Sequence, residues 1–332
     1  MTAPRTFATV LDQLATDSPN GAASRTTPFP TGLWPLDAIL EGGLRAHDLV
    51  LLGGVPGVGK TVAALQMARQ MASTGSTAIY ACFEHDESEL LVRLLLMELG
   101  AAARPRDTAV LDRLRLAVRG AANREVALTD IGEGQELLEA ARTRVADYAD
   151  RLWLVPASSR HTGLEQLEQL VTAHGNSHTA LFVDYLQKVA VRTGPTVEAE
   201  RISVITAGLK ELALSHAIAV VAVVAVVATD HVAPHARRRG LHHLRASAAL
   251  ACESDVVLML NEKLACVSTA LVASDPVRAE TFRDYVVLSI EKNRGGPPGA
   301  DLEFRKDLAH FRFDPTGEHV AEQLLDARVD NG

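Results

Sequence analysis

Residues 54–61 read Gly-Val-Pro-Gly-Val-Gly-Lys-Thr, which matches the phosphate-binding pattern G-x-x-x-x-G-K-[ST] at every fixed position. The short apolar run at 48–53 predicts a buried strand, and residues 61–71 predict a helix with one apolar side. In this setting, glycines let successive backbone N–H groups turn toward a phosphate, and the helix N-terminus adds partial positive charge. The stretch therefore predicts a nucleoside triphosphate site.

This pattern also assigns roles to individual residues. We expect Lys60 to reach the β- and γ-phosphates of the nucleotide and the Thr61 hydroxyl to bind Mg²⁺. An apolar run at 180–184 ends in Asp184, and P-loop enzymes use an aspartate at the end of such a strand as the second magnesium ligand. The alternative is that Asp184 merely caps the next segment. The expected nucleotide contacts are Gly54, Val55, Pro56, Gly57, Val58, Gly59, Lys60, Thr61 and Asp184.

Glu84 is the candidate catalytic base. It follows the predicted strand 77–83, and ligands of open α/β sheets bind at the carboxyl ends of the strands. A carboxylate in that position would orient and deprotonate the attacking water. Glu87 and Glu89 are alternatives, but their positions fit the acidic first turn of the following helix better.

Strands and helical stretches alternate from residue 31 to about 260, which predicts an α/β fold with a mainly parallel central sheet and flanking helices. The region 88–149 is rich in Ala, Leu and Arg and is expected to be helical. A last pair of strands, at 301–305 and 309–313, predicts an antiparallel edge. The other candidate strands are 48–53, 77–83, 152–156, 180–184, 218–227, 255–260 and 286–291.

The chain divides into three expected segments. Residues 1–30 form an N-terminal helix, over 5–16, and a linker; residues 31–315 form the nucleotide-binding domain, and residues 316–332 form a polar tail. The composition is that of a globular protein with a sizeable core. No run reaches the length of a membrane span and no signal segment begins the chain, so we expect a cytoplasmic protein with no membrane partner.

The net charge of −8 gives no overall basic surface for nucleic acid, so any such binding must come from a local patch. One dense basic cluster, over residues 235–245, follows a predicted strand. Lys and Arg side chains in such a patch would bind phosphates without regard to sequence. The alternative is a solvated surface loop. The candidate DNA-binding residues are Arg237, Arg238, Arg239 and Arg245.

Several further segments occur in a specific order. They are Thr31-Gly-Leu-Trp-Pro-Leu-Asp37, Gly42-Gly43-Leu44, the loop at 54–61, Phe83-Glu84 with Arg93, Val183-Asp-Tyr-Leu-Gln187, Leu244-Arg-Ala-Ser247, Glu253-Ser-Asp255 and Lys292-Asn-Arg294-Gly-Gly-Pro. Together, from about residue 31 to 314, they resemble the C-terminal ATPase domain of DnaB-type replicative helicases, a RecA-like P-loop NTPase. RadA-type and KaiC-type ATPases share the first motifs, but the segment 184–187 favours the DnaB side.

This resemblance implies a ring of identical subunits, a hexamer, that hydrolyses ATP and moves along single-stranded DNA as a helicase. In the family, the segment that Lys292 and Arg294 match reaches into the neighbouring subunit, so both are expected to act there as catalytic residues. Replication or repair proteins are the implied partners. We expect the family's N-terminal primase-interacting domain to be missing.

One position departs from the family pattern. The strand 218–228 matches the family strand that ends in a Ser-Gln sensor of the γ-phosphate, yet Ala225 and Val226 carry no polar group. This departure favours a second hypothesis, in which the chain is an ATP-gated assembly or scaffold protein of the DnaB, RadA or KaiC kind with little or no unwinding activity.

Overall fold

A computed structural model of the chain describes residues 6–9, 27–104, 107–122, 134–191, 197–226, 238–244, 247–322 and 324. Ten strands form one sheet at its centre. The strands are β1 (Leu49–Gly54), β2 (Thr77–Cys82), β3 (Leu152–Pro156), β4 (Thr179–Asp184), β5 (Ala219–Ala225), β6 (Val256–Glu262), β7 (Tyr285–Asn293), β8 (Asp301–Asp307), β9 (Arg312–Phe313) and β10 (Glu318–His319). Their order is β10-β8-β7-β6-β1-β5-β4-β2-β3, with β9 paired to β8.

The first six strands pair in parallel, and β7, β8, β9 and β10 add an antiparallel edge. Parallel neighbours need long crossover connections, which the helices between them supply. The predicted α/β fold with a mainly parallel sheet and an antiparallel edge is therefore confirmed. The second strand of the predicted last pair is shorter than expected, because residues Leu308–His310 form a 3-10 turn before β9.

The helices flank this sheet. They are α1 (Trp34–Ile39), α2 (Lys60–Ser73), α3 (Glu87–Ala102), α4 (Thr108–Ala122), α5 (Gln135–Tyr148), α6 (Leu164–His174), α7 (Glu198–His216), α8 (Ser247–Glu253), α9 (Lys263–Cys266), α10 (Thr269–Ser274) and α11 (Pro276–Thr281). The described residues of the helical region expected over 88–149 thus form three helices. The first, α3, begins where the Asp86 carboxylate accepts a hydrogen bond from the Glu89 N–H at 2.8 Å, which satisfies a free donor of the first turn.

Two apolar cores lie on the two faces of the sheet. Along β1, Val50 and Leu52 face the core that contains α2 and α3, whereas Leu49 and Leu51 face the core that contains α6 and α7. Both faces are covered, so the parallel strands are apolar throughout rather than alternating. Among the described residues, no helix combines the length and the apolar character that crossing a bilayer requires.

The described residues near the two ends of the chain differ in structure. Residues 7–9 form a helical turn, and the rest of the predicted helix 5–16 lies almost entirely outside the described residues. At the other end, β10 pairs with β8. Beyond it, the Glu322 carboxylate lies 2.8 Å from the ammonium of the buried Lys263. The polar segment expected from residue 316 therefore begins within the sheet.

Candidate nucleotide-binding site

The carboxyl ends of the central strands meet at one edge of the sheet and form a cleft. The pairing register places Gly54 beside Ala225 and Cys82 beside Asp184. The cleft has a volume of about 500 Å³. Its lining residues are Pro56, Gly57, Gly59, Lys60, Thr61, Val62, Glu84, Arg93, Asp184, Tyr185, Val223, Ala225, Leu308 and Phe311.

The loop between β1 and α2 has the backbone of a phosphate cradle. Gly57 and Gly59 adopt positive φ angles of 82° and 101°, a conformation that favours glycine. Apart from Gly57 and its two chain neighbours, no atom of the described residues lies within 4 Å of the place where a Cβ of Gly57 would stand, whereas a Cβ on Gly59 would come within 2.7 Å of the Phe313 ring. Gly59 also precedes the first residue of α2, so the helix N-terminus faces the cleft.

Lys60 points its ammonium back over this loop. Its Nζ donates a hydrogen bond to the carbonyl oxygen of Val55 at 2.8 Å. Burial lowers the pKa of Lys60, and the nearby negative charges of Asp184 and Glu84 act in the opposite direction. The loop therefore offers one ammonium and a row of N–H donors to an anion.

Asp184, at the end of β4, is almost completely buried. Its Oδ2 accepts a hydrogen bond from the Tyr80 hydroxyl at 2.8 Å, and the Thr61 side chain bonds to the same carboxylate. Burial raises the pKa of Asp184, and both hydrogen bonds oppose that change. One carboxylate next to one hydroxyl fits Mg²⁺, which typically takes one or two carboxylates from the protein and its other ligands from phosphates and water.

Glu84 lies two residues beyond β2 and lines the cleft. The negative charge of Glu84 acts to raise the pKa of Lys60 and that of Asp184. Glu89, one of the alternative bases, lies in α3 and accepts a hydrogen bond from Arg93 at 3.0 Å. Glu84 and Asp184 are the two carboxylates among the described residues that line the cleft.

Two residues near the site were given no role of their own from the sequence, although Gln187 belongs to the segment 183–187 that carries the family resemblance. Tyr80 lies within an apolar run. The sequence could have indicated its role, because a tyrosine in a buried strand needs a hydrogen-bond partner for its hydroxyl. Gln187 follows β4, and its side chain donates to the Ala225 carbonyl at 3.1 Å and accepts from the Ala225 N–H at 3.3 Å. These two bonds join the segment after Asp184 to the end of β5.

Lys292 and Arg294 lie near the amino ends of the parallel strands, whereas the cleft of their own chain lies at the carboxyl ends. Because β7 is antiparallel to β6, Asn293 pairs with Val256 at the start of β6. The half-exposed Arg294 lies 3.2 Å from the Asp255 carboxylate. Lys292 donates to backbone carbonyls, and burial, together with the charge of Arg294, lowers its pKa.

Two of the four predicted DNA-binding arginines lie among the described residues. Arg238 is 14% exposed, and its guanidinium lies 2.9 Å from the Glu291 carboxylate and 3.0 Å from that of Asp301. This pairing within the subunit argues against the DNA contact predicted for Arg238. Arg239 donates its backbone N–H to the Asn261 side chain at 2.7 Å. Arg237 and Arg245 lie outside the described residues.

Comparison with known sequences identifies this architecture. A family model described as the DnaB-like helicase C terminal domain matches residues 29–313. The chain belongs to this family. The match covers the loop at 54–61, Glu84, Asp184 and Arg294, and it confirms the resemblance drawn from the motifs. Membership makes the chain a helicase-like ATPase, for which a nucleotide is the implied ligand.

Two of the solved structures that share the fold are similar over nearly the whole chain. The first, an isolated ATPase domain, has a TM-score of 0.66 at 19% identity, and the match covers 92% of this chain and 95% of that domain. The second, "The Structure Of A DnaB-Like Replicative Helicase And Its Interactions With Primase", has a TM-score of 0.68 at 18% identity. It is matched over 92% of this chain and 66% of its own.

Curated relatives match shorter regions. DNA repair protein RadA of Mycobacterium tuberculosis (strain CDC 1551 / Oshkosh) is 39% identical over 71 residues, which are 21% of this chain and 15% of that protein. DNA repair protein RadA of Synechocystis sp. is 27% identical over 176 residues, which are 51% of this chain and 34% of that protein. The matches thus span well under half the length of these two relatives.

Proposed function

We propose that the chain is an ATP-hydrolysing motor that assembles into a ring, with six subunits, and moves along single-stranded DNA as a helicase. The observation that carries this proposal is the cleft in which the loop 54–61, Lys60, Thr61, Asp184 and Glu84 come together. Membership in the DnaB-like helicase family and the RadA relatives support a setting in DNA replication or repair.

In the proposed reaction, the loop N–H groups and Lys60 bind the β- and γ-phosphates. Thr61 and Asp184 would hold Mg²⁺, which neutralises phosphate charge when it is bound. Glu84 accepts a proton from a water molecule while the water oxygen attacks the γ-phosphorus. The bond from that phosphorus to the β,γ-bridging oxygen breaks, and the products are ADP and phosphate.

The residues Lys292 and Arg294 are proposed to complete the cleft of the neighbouring subunit. They lie near the amino ends of the parallel strands and are therefore separated from their own cleft, which lies at the carboxyl ends. Suppose that, in the ring, the carboxyl ends of the parallel strands of one subunit face the amino ends of those of the next. This arrangement would bring Lys292 and Arg294 of one subunit to the cleft of its neighbour. Arg294 is half exposed and can therefore contact a neighbour.

DNA contact is proposed for Arg237, Arg239 and Arg245, which remain candidates from the basic cluster. In the sequence the cluster begins ten residues after Ala225, the last residue of β5, which lines the nucleotide cleft. Arginines there would bind DNA phosphates without sequence preference.

The second candidate is an ATP-gated assembly or scaffold protein with a DnaB-like core and little unwinding. A specific observation favours it: Ala225 lines the cleft at the position of the sensor, and its methyl group has no donor for a phosphate. Arg238, which is paired inside the subunit, also reduces the charge available for DNA.

A strand-displacement assay separates the two candidates. Purified protein of known oligomeric state is incubated with a forked, labelled DNA duplex, with ATP and with a non-hydrolysable analogue. The motor releases the labelled strand only with ATP. An assembly protein hydrolyses ATP or changes its oligomeric state with ATP, and the duplex stays intact in both samples.

A further inference from the structure

Tyr80 lies on β2, directly behind the nucleotide cleft. Its side chain is fully buried, and its ring stacks against that of Phe182 with centroids 5.8 Å apart. Its hydroxyl donates a hydrogen bond to Oδ2 of Asp184 on the neighbouring strand at 2.8 Å. Tyr80 itself does not line the cleft. Tyr80 therefore contacts Asp184, the expected magnesium ligand, on the side away from the cleft, and it does not reach the space where a nucleotide would bind.

A carboxylate that binds a metal must keep a fixed plane, and its hydrogen bonds to surrounding groups set that plane. The ring of Tyr80 is held by burial and by Phe182, so the hydroxyl is a rigid donor. The bond to Oδ2 fixes the Asp184 carboxylate against rotation, while Thr61 contacts it from the cleft.

We propose that Tyr80 is a positioning residue of the magnesium site, which holds the Asp184 carboxylate in the orientation that binds Mg²⁺. This inference rests on the proposed function, because Asp184 is the metal ligand of that proposal. Tyr80 does not touch substrate, and its contribution passes through Asp184.

A second tyrosine provides a matched control. Tyr148 on α5 is also buried, and its hydroxyl donates to the buried carboxylate of Glu98 at 3.2 Å. Neither Tyr148 nor Glu98 lines the cleft. Tyr80→Phe and Tyr148→Phe therefore remove the same atom from similar surroundings, one behind the proposed metal ligand and one away from it.

The test measures metal binding directly. Mn²⁺, as a paramagnetic probe for the Mg²⁺ site, is titrated into each protein with a non-hydrolysable ATP analogue, and free Mn²⁺ is followed by electron paramagnetic resonance. We expect Tyr80→Phe to weaken Mn²⁺ binding about 10–100-fold, the usual effect of removing a partner of a metal ligand. Binding of the analogue in EDTA should stay unchanged, and Tyr148→Phe should bind Mn²⁺ as the wild type does.

Two results would overturn the inference alone: wild-type Mn²⁺ affinity in folded Tyr80→Phe, or an equal loss in Tyr148→Phe, which would indicate a general effect on the fold. A wild-type protein that binds the analogue without any metal dependence would overturn the proposed function and this inference together.

A measurement on the unaltered site covers the case in which Tyr80→Phe does not fold. The chain has four tyrosines, so protein containing 3-fluorotyrosine should give four ¹⁹F signals. Tyr148→Phe, Tyr185→Phe and Tyr285→Phe assign three of them and leave that of Tyr80 by elimination. Adding Mg²⁺ to the analogue-bound protein should shift the Tyr80 signal and leave that of Tyr148 in place. An unmoved Tyr80 signal would contradict the proposal.

Discussion

Lys60 faces two carboxylates in the cleft, Asp184 and Glu84, and both favour its protonated form. Burial acts against them and lowers the pKa of Lys60. A bound triphosphate brings further negative charge to the same place and thereby stabilises the ammonium. The protonated form of Lys60 is therefore more stable when a nucleotide is bound than when the cleft is empty.

Glu84→Gln tests the proposed base. The amide keeps the shape of the side chain but cannot accept the proton, so nucleotide binding should persist while turnover falls about 10²–10⁴-fold. Nucleotide affinity and phosphate release are measured on the same preparation. Glu87→Gln, three residues further on and also exposed, is the matched control and should keep its turnover. Normal turnover in Glu84→Gln would assign the base to another carboxylate.

Glu98 provides a stability prediction away from the cleft. Its fully buried carboxylate accepts hydrogen bonds from the Arg69 guanidinium, at 2.9 Å from Nη2, and from the Tyr148 hydroxyl. Glu98→Ala leaves both donors without this partner and should lower the free energy of unfolding by about 3–5 kcal/mol.

The control is Glu139→Ala, which removes an exposed ion pair with Arg142 at 2.8 Å and should cost less than about 1 kcal/mol. Both values come from chemical denaturation. Equal costs for the two variants would refute the stabilising role of the buried carboxylate.

At the scale of the elements, the sequence predicts the strands well. The first seven strands along the chain, β1 to β7, lie within two residues of their expected ends, because each is an apolar run bounded by polar or glycine-rich segments. The loop at 54–61, Glu84 and Asp184 were also predictable, since each directly follows an apolar run, and the carboxyl ends of parallel strands lie on the same side of a sheet.

Contacts between side chains that are distant in the sequence were not predictable. The bond from Tyr80 to Asp184 depends on the register of β2 against β4, and no local pattern encodes that register. In the same way, Arg238 lies in a basic run that is typical of a solvated loop, yet it pairs with Glu291 on β7 and Asp301 on β8.

The end of β5 carries a prediction about the missing sensor. Ala225 lines the cleft, whereas Val226 is buried and bridges to Leu244. Ala225→Gln should place a donor near the γ-phosphate and raise DNA-stimulated turnover, by up to about 10²–10³-fold for one preorganised donor.

Phosphate release with and without single-stranded DNA measures this effect. Val226→Gln is the comparison, because it buries a polar group and should lower stability without raising turnover. Strong DNA stimulation in the wild type, or none in Ala225→Gln, would contradict our interpretation of this strand.

At the scale of the whole molecule, the two edges of the sheet have different roles in the proposed ring. The nucleotide cleft lies at the carboxyl ends of the parallel strands, and Arg294 lies near their amino ends. In the proposed ring the site of an isolated subunit would lack Arg294 of its neighbour, so turnover per subunit should rise with protein concentration as rings assemble.

Mixed rings test the role of Arg294 in the neighbour's cleft. Lys60→Ala and Arg294→Ala subunits should each be inactive, since an arginine supplied by a neighbour contributes about 10³–10⁵-fold in related phosphoryl transfers. A mixture should regain activity at interfaces where an intact Lys60 meets an intact Arg294. A mixture of Lys60→Ala with the double variant should stay inactive. Inactivity of the Lys60→Ala and Arg294→Ala mixture at every ratio, with rings verified by light scattering, would count against this role.

The central claim is that the cleft around Lys60 hydrolyses ATP, and steady-state phosphate release by Lys60→Ala tests it most directly. Lys60 bonds to the Val55 carbonyl and faces the cleft, so the variant should unfold like the wild type. Lys188→Ala, which changes an exposed lysine just after β4, is the control and should keep full turnover. We predict that phosphate release by Lys60→Ala falls to background. Wild-type turnover by a folded Lys60→Ala protein would show that ATP is hydrolysed elsewhere and would contradict the account.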